Sequence, residues 1–90
     1  MSMSSPFENL EKQLALQEWP NVYLFKFIVS NNKESLARTT ALFDETADLT
    51  VRSSSGGKFT SVSAKVMMMD VESIMDIYRQ AQDIPGIVSL

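Results

Sequence analysis

The sequence predicts an α+β domain in which strands and helices follow one another as β-α-β-β-α-β behind a separate N-terminal helix. Three observations carry this. β-branched and aromatic residues crowd residues 22–29, period-two alternation runs through residues 58–68, and apolar residues recur three and four apart over residues 71–81.

The N-terminal helix is expected over residues 6–17, with Ser5 as its cap, Pro6 at the first helical position and Glu8 three residues after the cap. Its apolar stripe of Phe7, Leu10 and Leu14 is narrow, so the helix reads as an appendage to the core. Trp19-Pro20-Asn21 ends it, because a residue before proline is pushed out of the α region. The first strand places Tyr23, Phe25, Phe27 and Val29 on one face and Val22, Leu24, Lys26 and Ile28 on the other. With both faces largely apolar, a central, covered strand is expected.

Asn31 with Glu34 forms a candidate capping pair for a helix over residues 32–43, whose buried side would carry Leu36, Thr40 and Phe43, with Ala37 beside them. Leu49 and Val51 alternate with Asp48, Thr50 and Arg52 in a strand with one wet face. Ser53-Ser54-Ser55-Gly56-Gly57 is a turn, since glycines supply positive φ angles. The third strand, residues 58–68, turns Val62, Ala64, Val66 and Met68 inward and Phe59, Ser61, Ser63, Lys65 and Met67 outward. Asp70 caps a last helix with the stripe Val71, Ile74, Met75, Tyr78 and Ala81; Ile84-Pro85-Gly86 stops it, and residues 87–90 form a short final strand. This order is that of a ferredoxin-like fold: a four-stranded antiparallel sheet, the first and third strands in the middle, and two helices on one face. The chain divides into a helical extension over residues 1–19 and a ferredoxin-like domain over residues 20–90.

Composition removes most chemistry. The 90 residues suffice for one core. No cysteine or histidine occurs, so thiol nucleophiles, imidazole bases and most transition-metal sites are excluded, and no cofactor is called for. A net charge of −3 disfavours nucleic acid and anionic membrane surfaces. No apolar run approaches the ~20 residues of a bilayer span. The first residues lack the basic start and apolar centre of a secretory signal, so a cytoplasmic location is expected.

The run Arg52-Ser53-Ser54-Ser55-Gly56-Gly57-Lys58-Phe59-Thr60-Ser61-Val62-Ser63 resembles the hairpin signature of the YbeD-like family of small bacterial domains of unknown function, approximately R-x-S-S-x-G-[NK]-[YF]-x-S-[VI]-[ST]. Phe25-Lys26-Phe27 is similar to that family's first strand, and Tyr78-Arg79 followed by Ile84-Pro85-Gly86-Ile87 to its end. The resemblance covers residues 19–90. It implies a ferredoxin-like fold close to the ACT regulatory domains, which often bind amino acids between paired subunits, and it implies no enzymatic activity. ACT domains usually place the ligand at a glycine-containing loop after the first strand; that loop here, Ser30-Asn31-Asn32-Lys33, contains no glycine.

The open face of the sheet carries the candidate site. Lys26, Thr50, Arg52, Ser61, Ser63 and Lys65 project from it, a cluster of cations and hydroxyls in an acidic chain. Arg52 offers a planar two-pronged donor set for a carboxylate, and the lysines act as point charges. A solvated face whose charges only block edge pairing would carry the same residues. The Ser53 to Lys58 turn could cradle an anion with backbone N–H groups, but a plain hairpin explains it as well. The Met67-Met68-Met69 run suggests core filling by Met68 with its neighbours at the edge, and Asp44, Glu45 and Asp48 read as one solvated acidic loop. Leu24, Ile28, Phe59 and Met67 share the open face, and that much apolar area is expected to be covered, by a second copy or by the N-terminal helix. The expected function is a non-enzymatic regulatory or adaptor module. It senses a small anionic metabolite on the open face or, alternatively, docks a protein through that face or the N-terminal helix.

Overall fold

Alternation in the sequence decides the sheet. The computed structural model of the chain describes residues 7–54 and 56–90. Its elements are α1 (Glu8–Ala15), β1 (Asn21–Ser30), α2 (Lys33–Thr40), β2 (Asp48–Ser53), β3 (Phe59–Met68), α3 (Val71–Ala81) and β4 (Val88–Ser89). The four strands form one antiparallel sheet in the order β2-β3-β1-β4, so β1 and β3 occupy the middle. Phe25, Phe27 and Val29 of β1, with Val62 and Ala64 of β3, have no exposed surface and meet the helices. Rows of paired residues run Leu24–Lys65–Asp48, Lys26–Ser63–Thr50 and Ile28–Ser61–Arg52 across the opposite face.

On the helix side, α3 supplies Ile74, Met75, Tyr78 and Ala81 to a core that includes Phe25, Phe27 and Met68. Asp70 caps this helix as expected, its carboxylate accepting the Ser73 N–H at 2.8 Å, which holds the carboxyl below the usual aspartate range. No helix among the described residues is long and apolar enough to cross a membrane.

Several expectations need correction. Leu14 is only 2% exposed and belongs to the main core, with Phe7 and Leu10 packed at its margin, so α1 is more than an appendage. Its last turn is tied down by Trp19, whose Nε1–H donates to the Leu14 carbonyl at 2.8 Å and satisfies an acceptor that a helix end leaves free. The observed helix starts after Phe7; the expected cap Ser5 and first residue Pro6 lie outside the described residues. Since α1 packs against α3, it sits with the other helices and does not cover the open face. That face of β1 is correspondingly not covered: Val22 and Leu24 are exposed.

The cap of α2 is Asn32, not Asn31. Asn32 Oδ1 accepts the Ser35 N–H at 2.8 Å. Asn31 is held elsewhere, donating Nδ2–H to Gly57 O at 2.7 Å and accepting from the Thr60 hydroxyl at 3.1 Å. Within the helix Ser35 and Thr39 are the buried residues, and Leu36 and Thr40 are only partly so. Phe43, past the end of the helix, packs against the core as expected, its ring centroid 5.3 Å from that of Phe25. Both buried hydroxyls have partners: Thr39 donates to the Ser35 carbonyl at 2.8 Å and Ser35 to the Pro85 carbonyl at 3.3 Å. β2 is wet on both faces: all six of its residues are exposed, Leu49 and Val51 included. Asp48 is part of that strand and not of the acidic loop.

Candidate functional site

The structure places every expected site residue on the open face, on three adjacent strands. Lys26 stands beside Ser63, which stands beside Thr50; Arg52 stands beside Ser61; Lys65 lies between Leu24 and Asp48. The serines are half-buried between longer neighbours, and Lys26, Arg52 and Lys65 are exposed.

Register spreads the cations apart. Lys26 and Lys65 are diagonal neighbours, about 7–8 Å between backbones. Strand spacing puts Arg52 roughly 12 Å from Lys26 and 14 Å from Lys65. Such spacing suits several carboxylates distributed over a surface better than one small anion. Among the described residues, ion pairs join Lys12 to Glu8 at 3.4 Å and Arg79 to Glu72 and Asp76 at 2.9 and 2.7 Å; none involves Lys26, Arg52 or Lys65. One carboxylate left out of the expected site, Asp48, shares the face beside Lys65. Strand alternation already put it on the side of Thr50 and Arg52.

Apolar side chains flank the cations on both sides. Val22, Leu24 and Met67 lie toward one end and Phe59 and Val88 toward the other, each between 45% and 59% exposed. The concavity here is slight: a groove of about 150 Å³ bordered by Ile28, Arg52, Ser53, Ser54, Phe59 and Ser61.

The turn beside Arg52 spends its amides internally. Ser54 N–H donates to Phe59 O at 2.8 Å, Gly57 N–H to Ser54 O at 2.9 Å, and Phe59 N–H to Ser54 Oγ at 3.2 Å. Only Gly57 of the glycine pair takes a positive φ, 69°. This is hairpin chemistry, and it leaves those N–H groups committed. The loop after β1 is likewise occupied, Asn31 bridging to the hairpin and Asn32 capping α2.

A cavity of about 440 Å³ lies on the opposite side, between Phe7, Phe27, Tyr78, Ile84 and Ile87. No lysine or arginine lines it, so an anion would find no charge partner there. Tyr78 at its wall is bonded to the Tyr23 hydroxyl at 2.9 Å, and burial together with that bond pushes its ionisation well above the ordinary tyrosine value. Among the described residues no group of three His, Cys, Asp or Glu side chains could hold a metal ion.

The family model described as "Protein of unknown function (DUF493)" matches residues 15–90, a stretch that contains the whole sheet and every candidate site residue. The chain belongs to the DUF493 family. This is the family of YbeD, so the resemblance carried by the Arg52–Ser63 run holds. Leu14, although part of the core, falls just outside the family's match. No curated protein and no solved structure matches the chain.

Proposed function

We propose that this DUF493 chain is a non-enzymatic, ferredoxin-like adaptor module that docks a partner protein through the open face of its sheet. The observation that carries this reading is the composition of that face: exposed apolar side chains on either side of three cations that have no ion-pair partner among the described residues. Exposed apolar area with a polar complement is what interaction surfaces present. The partner chemistry that fits is an apolar surface bearing spaced carboxylates. A face-to-face copy of this chain fits poorly, since it would set these cations against themselves. The non-enzymatic part rests on a chain with neither histidine nor cysteine.

A photo-reactive side chain at Leu24, introduced into the full chain in cells, should capture a defined protein. The same probe at Leu16, exposed on the helix side, should not. Equal labelling from both positions would sink the docking reading. A second reading, a small anionic metabolite held by Arg52, is favoured by the groove beside that residue. A carboxylate or phosphate metabolite that raises the melting temperature of the chain but not of Arg52→Ala would select it.

A further inference from the structure

The outer edge of β2 is unpaired among the described residues, and the hairpin fixes which of its backbone groups face outward. Ser54 N–H donates to Phe59 O, so the even-numbered residues of β2 bond to β3. Strand alternation then leaves the N–H and C=O groups of Leu49, Val51 and Ser53 directed away from the sheet. All six residues of the strand are exposed. It carries no proline and no charge on its helix side, and its two charges, Asp48 and Arg52, are of opposite sign and both lie on the open face.

The edge Asp48-Leu49-Thr50-Val51-Arg52 is also self-complementary about Thr50. We infer that two copies of the chain pair antiparallel along β2, with the two-fold axis at Thr50, into one continuous eight-stranded sheet. Leu49 of each copy then faces Val51 of the other as a hydrogen-bonded pair, using the outward backbone groups. On the helix side those side chains, 37% and 46% exposed in the single chain, cover one another. On the open face Thr50 meets Thr50, and Asp48 of each copy meets Arg52 of the other.

The charges argue for this register. Within one strand Asp48 and Arg52 are four residues apart, roughly 13 Å, and no ion pair joins them. Across the paired edge they stand about 5 Å apart at Cβ. Sliding the copies one step either way sets Asp48 against Thr50 or Arg52 against Thr50. A second step sets Arg52 or Asp48 against itself. Only the register centred on Thr50 gives each charge its opposite. The pairing also explains the unpartnered Arg52 and removes it from the anion site. It leaves Lys26 and Lys65 as the open-face cations for a docked partner, and the rest of that face stays uncovered on both copies.

Sedimentation velocity of the full chain over a concentration series tests this. The chain should show a reversible monomer–dimer equilibrium. Arg52→Asp and Asp48→Arg, each placing like charges opposite, should weaken the dimer at least ~10-fold. The double variant Asp48→Arg/Arg52→Asp should return to within ~3-fold of the original. Because the chain has no cysteine, Thr50→Cys supplies a single thiol, and on oxidation it should give a covalent dimer while Met67→Cys does not. Far-UV circular dichroism checks that each variant is folded. A chain that stays monomeric and yields no Thr50→Cys cross-link overturns the inference, as does a dimer whose strength ignores the single variants or is not restored by the double one.

Discussion

Leu14→Ala separates a core helix from an appended one. Leu14 is 2% exposed and packs with Phe25, Tyr78 and Ala81, although it lies just before the family's matched range. Truncating a buried leucine costs about 2–5 kcal/mol, the spread reflecting how far the surroundings collapse into the space left. Helix α1 reaches the molecule through one stripe and can settle inward, which places the expected loss near the lower end, about 2–3 kcal/mol. At about 4–8 °C per kcal/mol for a domain of this size, the melting midpoint should fall by roughly 10–20 °C. Urea unfolding should show the same loss as a lower midpoint with an unchanged slope. Leu16→Ala, two residues on and 87% exposed, should stay within ~0.5 kcal/mol of the parent. Equal, small effects at both positions would refute the placement of α1 in the core.

The hairpin glycines should behave differently: a Cβ at either meets nothing within 4 Å, but Gly57 has φ +69°, so Gly57→Ala should cost about 1–2 kcal/mol in denaturant unfolding and Gly56→Ala almost nothing. Asn32→Ala should lose about 1 kcal/mol as a cap, and Ser, which can accept the same N–H, should restore most of it. Tyr78 holds its proton more tightly folded than unfolded, so its contribution is intact below the ordinary tyrosine value of about 10 and declines as pH rises beyond it. Unfolding free energy measured from neutral to alkaline pH should therefore fall more steeply in the parent than in Tyr78→Phe.

The strands and α3 were legible because their signals are local. Alternation in β1 groups the residues of each face and in β3 names most of the buried one, and Asp70 followed by three- and four-residue apolar spacing leaves one helix to draw. What escaped was set by distant partners. Asn31 read as the cap, but Gly57 and Thr60, far along the chain, claim its side chain, and the capping falls to Asn32. Leu14 looked peripheral because a stripe that thin gives no hint of a neighbouring helix to meet it. The face of every candidate site residue followed from alternation, but their separation did not. The distance between Arg52 and the lysines, and the place of Asp48 beside Lys65, depend on the register among three strands, which the hairpin hydrogen bonds set.

The open face as a docking surface is tested most directly by making it polar without touching the core. In the double variant Leu24→Gln/Met67→Gln both positions are exposed, so unfolding free energy should stay within ~1 kcal/mol of the parent while capture of the partner by a photo-reactive residue at Phe59 is lost. Undiminished capture in a variant of unchanged stability would contradict the account.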